Sequence, residues 1–190
     1  MPSYELFLSK LTKRTLGQKF TIDEFRTHLF SNDFKNFEKA ASWVKESGTS
    51  ECIPILLDFF SICEQEEQLI EVRDMLMAMR LPGAEEALIH ALKQSHLKNI
   101  HKDVLEFMWS NGFAGVGHLG KLVQRAIELK LNGMIELLSI MEQEGEYTDE
   151  DQLESLTFVQ SLDSSSFNRE EKLLLKEIHE RLLRLRGFEE

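Results

Sequence analysis

Apolar residues recur along this chain at intervals of three and four positions, which is the period of a helix with one buried face. The segment 97–111, LKNIHKDVLEFMWSN, shows the pattern clearly. Its apolar side is formed by Ile100, Val104, Leu105 and Met108. Gly112 follows directly, at the position where many helices end with a left-handed residue. The pattern predicts one helix over 97–111.

This pattern repeats along the chain. A shift of 32 residues aligns Val44, Leu76, Met108 and Ile140, and thirteen of the sixteen positions in four such columns are apolar. A second column, at shifts of 32 and 34, contains Leu56, Leu88, Leu122 and Leu156. Two helices in each repeated unit are typical of an α-solenoid, in which stacked helix pairs bury a shared core.

We therefore expect an all-α fold of about ten helices, a right-handed α–α superhelix of about four helix pairs with a capping helix at each end. One domain should span 1–190, with an N-terminal cap at 1–31, the repeat array at 32–162 and a C-terminal capping helix within 163–190. The paired helices are predicted at about 33–47 and 50–64, 66–80 and 83–95, 97–111 and 117–131, and 132–143 and 149–162.

Three helix starts carry capping residues. Thr21 and Glu24 have the spacing of a capping box, and Asn168 and Glu171 have the same spacing before the last helix. Thr148 stands at the start of the helix predicted from 149. These residues predict where three of the helices begin.

The charge distribution argues against a nucleic-acid partner. The net charge is −11, and residues 142–168 hold eight carboxylates with no Lys or Arg. Residues 81–141 hold six acidic and six basic residues, so no basic stripe is apparent. The block 142–168 has two interpretations, a solvated acidic surface or a docking site for a basic partner.

No segment resembles a leader peptide or a membrane span. The longest apolar stretch, 53–62, is short and contains Asp58, so we expect a cytoplasmic protein with no membrane association. Cys52 and Cys63 lie eleven residues apart on one predicted helix, about 16 Å along its axis. Because this distance exceeds the reach of a disulfide, two reduced thiols are predicted.

The letters G-x-G-x-x-G occur at Gly115–Gly120. A dinucleotide site needs a strand before this motif and an acidic residue about 20 positions later, within a βαβ unit. A helix is predicted before the motif here. We expect a glycine-rich loop instead, with Gly120 permitting two helices to pack closely.

The sequence gives little support for a metal site or for catalysis by a cysteine. The histidines at 90, 96, 101 and 118 form no pair at the spacing of metal ligands, and the cysteines lack a basic neighbour that would lower a thiol pKa. Trp43, Phe107 and Trp109 fall at core columns. No metal, no cofactor and no catalytic residue is predicted.

Helix pairs of 32–34 residues with leucine columns on the second helices resemble the HEAT-type and armadillo-like repeat family, over roughly 32–162. The first helices lack the proline common in the family, and the recurring Asp and Arg are absent apart from Arg125. The resemblance implies a non-catalytic scaffold that binds another protein on a concave face formed by the second helices.

The expected contact surface lies beside the leucine column. Asp58, His90 and Gln124 share one column of the second helices, and three nearby basic residues extend it, namely Lys93, Lys121 and Arg125. The alternative is a HEAT-like enzyme acting on DNA, similar to the alkylpurine glycosylases, or another HEAT-like enzyme such as a phycobilin lyase. The first of these needs a basic concave groove that contains a carboxylate.

Overall fold

A computed structural model describes residues 20–143 and 145–185 of the chain. These residues form ten α-helices and no strand, which confirms the predicted all-α class. The amphipathic part of the predicted N-terminal cap, 1–19, and the end of the last helix beyond 185 lie outside the described residues. Two compact units divide between Cys52 and Ile53, and the predicted division into a cap, an array and a terminal helix stays a prediction.

The first unit contains α1 (Ile22–Leu29) and α2 (Phe34–Ser47), which pack against each other. The helix α3 (Cys52–Ile62) begins at the last residue of that unit. The second unit continues with seven more helices, α4 (Glu66–Met77), α5 (Ala84–Ala91), α6 (His101–Ser110), α7 (Leu119–Glu128), α8 (Lys130–Ile140), α9 (Asp149–Gln160) and α10 (Arg169–Leu185).

The predicted helix starts are confirmed by their hydrogen bonds. The Thr21 hydroxyl accepts from the backbone N–H of Glu24, whose carboxylate accepts from the Thr21 N–H at 2.8 Å, so the capping box is complete. Asn168 and Glu171 exchange the same two bonds before α10. Thr148 caps α9 by accepting from the third residue of the helix. Each cap satisfies N–H groups that the helix itself leaves unpaired.

Trp43 departs from its predicted core position in the first unit. It is only partly buried, whereas Phe25 and Leu29 are fully buried. The Trp43 ring lies 5.4 Å from that of Phe25 and 5.7 Å from that of Phe20, measured between centroids. The indole therefore covers the edge of an aromatic cluster and keeps one side in solvent, as large amphipathic rings often do.

The helix predicted over 97–111 begins four residues later than expected. Residues Ser95–Ile100 form a 3₁₀ segment, and α6 starts at His101. Leu97 and Ile100 are both buried. Because a 3₁₀ helix has three residues per turn, this segment places both side chains on one side.

Alternate helices of the second unit pack side by side. The helices α4, α6, α8 and α10 contact one another in that order, and α7 contacts α9. The pairs α5 with α6, α7 with α8 and α9 with α10 join the two rows. The two columns named above lie in this core, where all their members in the unit are buried, namely Leu56, Leu76, Leu88, Met108, Leu122, Ile140 and Leu156.

One junction between the rows is unusually tight. The predicted helices at 117–131 and 132–143 are Leu119–Glu128 and Lys130–Ile140, with only Leu129 between them. Lys130 adopts a left-handed backbone conformation, with φ of 60°, which turns the chain sharply. A Cβ added at Gly133 would lie 2.4 Å from the carbonyl oxygen of Ala126, so the two helices approach closely there.

Two charged residues interrupt the apolar columns, Arg73 on α4 and Glu136 on α8. The Arg73 guanidinium donates to the carboxylates of Asp103 at 2.8 Å and Glu106 at 2.6 Å, both on α6. It also lies 5.9 Å from the centre of the Phe107 ring. The guanidinium is thus partly buried together with its counterions.

The same group of charges continues to α8. Lys102 donates to Glu106 at 2.7 Å and lies 3.4 Å from a carboxylate oxygen of Glu136. The indole N–H of Trp109 donates to Glu136 at 2.5 Å, which explains why Trp109 is only partly buried. These side chains form an ion-pair network that links α4, α6 and α8.

Truncation of a core leucine tests the buried column. Leu105→Ala, on α6, should lower the free energy of unfolding by about 2–5 kcal/mol, because Leu105 is fully buried. The matched change Leu153→Ala, at a side chain that is 51% exposed, should cost less than about 1 kcal/mol. Urea denaturation measures both, and equal losses would contradict the packing described here.

The ion-pair network predicts a pH dependence. Burial raises the pKa of Glu106, but hydrogen bonds from Lys102 and Arg73 outweigh it, and the pKa lies below its ordinary value. The stabilisation is therefore complete at pH 7 and is lost as the pH falls through that lowered pKa. Glu106→Gln should cost about 1–3 kcal/mol at pH 7.

The difference between Glu106→Gln and the wild type should begin to shrink as the pH falls below about 4.5, the ordinary pKa of a glutamate, and should disappear once the pH lies below the lowered pKa of folded Glu106 and its carboxylate is protonated. Glu146→Gln, an exposed loop substitution, is the control and should change stability little at either pH. A Glu106→Gln deficit that stayed constant down to pH 3 would show that the charge of Glu106 does not stabilise the fold.

Candidate functional site

A groove of about 270 Å³ lies between the end of α5 and the exposed side of α7. Its floor is apolar and its rim is polar. The lining residues are Ile89, Leu92, Lys93, Lys121, Leu122, Gln124 and Arg125. We refer to it below as the α5–α7 groove.

The amphipathic pattern of α7 explains the rim. Leu119, Leu122, Val123 and Ala126 are buried, which turns the other side of the helix outward. Three polar residues lie on that side at spacings of three and four, namely Lys121, Gln124 and Arg125. Lys93 lies in the turn after α5 and reaches the groove from there. Helix α5 is anchored by Leu88, which is buried in the core.

Two lysine ammonium groups meet in this groove. Desolvation and then the positive charge of Lys121 lower the pKa of Lys93. Neither lysine forms an ion pair with a carboxylate of the described residues, whereas Arg125 pairs with Glu128. Like charges placed together without a counterion raise the free energy of the protein, so an anion bound here would relieve the repulsion.

His101 lies behind this surface and is buried. Its Nε2 is 3.2 Å from the carbonyl oxygen of Gln94, and its Nδ1 has no hydrogen-bond partner in the part of the chain that the structure describes. Burial, and then the charge of Arg125, lower the pKa of His101, although the carbonyls of Gln94 and Ala91 oppose the shift. The ring is therefore neutral at pH 7.

The structure brings four of the six predicted contact residues together, Lys93, Lys121, Gln124 and Arg125. His90 is exposed on α5 and its Nε2 contacts the side-chain amide of Gln94 at 2.7 Å, outside the groove lining. Asp58 lies elsewhere, on α3, where its carboxylate is 3.1 Å from Nε2 of His96.

Sequence reasoning missed two parts of this surface. The floor residues Ile89 and Leu92 were not distinguishable from other core positions by their spacing. The buried position of His101 was also missed, since the helix was expected to start at 97. The one available signal was its position beside Ile100 at the start of the apolar stripe.

The glycine-rich segment is a loop, as predicted. Gly115 and Gly117 have φ values of 70° and 75°, which side-chain-bearing residues rarely adopt. The N–H of Gly115 donates to a carboxylate oxygen of Glu85 at 2.6 Å. Because a carboxylate already accepts from this amide, the loop does not present it to a phosphate.

Two neighbours hold this loop in place. The Tyr147 hydroxyl donates to the carbonyl of Ala114 at 2.7 Å, and burial, aided by the charges of Glu85 and Asp151, raises the pKa of Tyr147 to about 12. A Cβ at Gly120 would lie 3.1 Å from the carboxyl carbon of Glu154, so α7 and α9 approach closely.

The thiols and potential metal ligands are dispersed. Cys52 and Cys63 are not disulfide-bonded, and desolvation by burial raises the pKa of Cys52. Across residues 20–143 and 145–185, no three His, Cys, Asp or Glu side chains converge as metal ligands would. Within those ranges, no helix is both long and apolar enough to cross a membrane.

Comparisons with known proteins give no relative. Neither family models, nor curated proteins, nor solved structures match the chain. The function is therefore argued from the geometry alone.

A second groove, of about 500 Å³, lies in the first unit. It is wider and has both signs of charge on its rim. Its lining residues are Phe20, Lys35, Glu38, Lys39, Ser42, Trp43 and Glu46. Since two lysines alternate with two glutamates, this surface has no net electrostatic preference, and the α5–α7 groove is the stronger candidate.

His101 predicts a second pH dependence of stability. Because its pKa is lowered in the folded state, the unfolded chain binds a proton first as the pH falls through about 6.5. The free energy of unfolding should fall as the pH decreases below about 6.5, by at most about 1.4 kcal/mol per pH unit. His101→Gln should remove that contribution from unfolding curves measured between pH 7.5 and 5.5, whereas the exposed control His90→Gln should keep it. An unchanged slope in His101→Gln would contradict the assignment.

Proposed function

We propose that this chain is a non-catalytic protein-binding module, and that the α5–α7 groove holds an acidic segment of its partner. The main support for this proposal is that two lysines lie together in the groove without a carboxylate partner among the described residues, in a protein of net charge −11. Charge complementarity of this kind speeds association and selects partners.

The packing supports an array of HEAT-like helix pairs. Each second helix from α5 onward contacts the first helix of the next pair, and the first helices contact one another in chain order. The apolar columns repeat with the same order. Arrays of this kind form extended surfaces from their repeated helices, which suits a scaffold that binds proteins.

A short acidic segment fits the groove better than a nucleic acid does. Helix α9 has three acidic residues in its first turn, and its Glu154 lies against Gly120 at the start of α7. A phosphate backbone that followed α7 beyond the groove would approach these carboxylates and be repelled. A compact anion would lie beside the lysines of the groove and would not reach these carboxylates.

The DNA-enzyme alternative requires a carboxylate available for chemistry inside a basic groove. Glu128 is the carboxylate that contacts the rim, and it is exposed and paired with Arg125. Because its oxygen already accepts from the Arg125 guanidinium, this carboxylate is less available to a substrate in the groove. These features favour a binding role for the groove.

The test compares the binding of one acidic peptide to the wild-type protein and to two double variants. A fluorescent peptide containing four consecutive glutamates should bind the full chain, and the double variant Lys93→Gln/Lys121→Gln should bind about tenfold more weakly, a difference of about 1.4 kcal/mol. The matched variant Lys98→Gln/Lys176→Gln changes the same charge at exposed lysines outside the groove and should bind like the wild type. Fluorescence anisotropy at two salt concentrations measures all three.

Two outcomes would contradict the proposal. One is equal weakening in both double variants, because it would show a response to net charge without a defined groove. The other is tighter binding of a single-stranded oligonucleotide than of the acidic peptide, which would support the DNA-enzyme alternative.

A further inference from the structure

We propose that the α5–α7 groove recognises a phosphorylated serine or threonine next to an apolar residue in the partner protein. This inference rests on the proposed function and specifies its ligand. The observation that supports it is that hydrogen-bond donors surround an apolar floor in one groove.

The polar rim consists of hydrogen-bond donors that carry or accompany positive charge. Lys93 and Lys121 each bring an ammonium group, Arg125 a guanidinium and Gln124 a side-chain amide. A carboxylate offers one negative charge and two oxygens. A phosphate monoester offers about −1.5 to −2 charges at pH 7 and three acceptor oxygens. Because two ammonium groups meet here, a dianion balances them at a single point.

Arg125 is positioned for such a ligand. Its Nη1 donates to Glu128, one turn further along α7, so the orientation of the planar guanidinium is restrained. Arg125 is only partly exposed, whereas Lys121 and Gln124 are exposed. A restrained guanidinium loses less conformational entropy when it binds phosphate oxygens in a forked geometry.

The floor of the groove specifies the neighbouring residue. Ile89, Leu92 and Leu122 line it beneath the cationic rim. An acidic residue beside the phosphate would place a second charge against this apolar surface and pay a desolvation cost. An apolar side chain would instead bury its own surface there, so the expected motif is a phosphorylated residue next to Leu, Ile, Val or Met.

The acidic side of α9 limits the length of the anionic part. Glu154 lies against Gly120, one residue before Lys121, and Asp151 lies one turn earlier on α9. A long run of acidic residues would extend toward these carboxylates. A single phosphoryl group concentrates its charge on the lysine side and avoids the repulsion.

The experiment uses the full chain and three oriented peptide libraries of eleven residues, which differ only at the central position. That position is phosphoserine, serine or glutamate, and every other position is degenerate. Immobilised wild-type protein should retain the phosphoserine library about tenfold more than the serine library and about threefold more than the glutamate library. The retained phosphopeptides should be enriched in an apolar residue directly before or directly after the phosphoserine.

Three double variants test whether the lysines of the groove are responsible for the phosphoserine preference. Lys93→Gln/Lys121→Gln should lose the preference for phosphoserine, and Lys98→Gln/Lys176→Gln should keep it. Lys93→Arg/Lys121→Arg preserves the charges and should also retain phosphopeptide. Circular dichroism of each variant establishes that the helices are intact, as expected for substitutions at exposed positions.

The outcomes separate this inference from the proposed function. Equal retention of the glutamate and phosphoserine libraries would overturn the inference and leave an acidic-segment module. A phosphoserine preference that persisted in Lys93→Gln/Lys121→Gln would also overturn it, since another surface would bind the phosphate. If wild-type protein retained none of the libraries, both proposals would fall.

Discussion

Burial of the leucine and methionine columns between two rows of helices is the constraint on which the second unit depends. Leu76, Met108 and Ile140 can be buried only if alternate helices lie side by side, as α4, α6 and α8 do. The second helices must then turn their leucines toward that row. Their remaining side faces outward, and this is where the rim of the α5–α7 groove lies. The surface that we propose for partner binding is thus a consequence of core packing.

The same constraint explains how the second unit accommodates charge. Arg73 and Glu136 occupy columns that are otherwise apolar, and each would be costly alone at a partly buried position. Asp103, Glu106 and Lys102 on α6 lie between them and compensate both. The groove shows the contrasting case, because its lysines lack counterions among the described residues. The first cluster is satisfied within the fold, and the second is the place where we propose that an anionic ligand supplies the missing counter-charge.

Local signals made much of this fold predictable from sequence. The Thr21 and Asn168 caps involve residues three positions apart, and the columns follow from helical periodicity. The outward position of Lys121, Gln124 and Arg125 followed from the same periodicity. Features that depend on distant residues were not predictable. The pairing of Asp58 with His96 and that of Arg73 with Glu106 join side chains more than thirty positions apart, and their spacing in sequence carries no signal.

The tight junction between α7 and α8 bears on how sequences of this kind can vary in length. With Leu129 as the only intervening residue, the left-handed Lys130 and the close approach at Gly133 leave no slack for an inserted or deleted residue. An insertion there would rotate α8 relative to α7 and displace Met134 and Leu137 from the core. The 129–133 junction should therefore keep its length among natural variants.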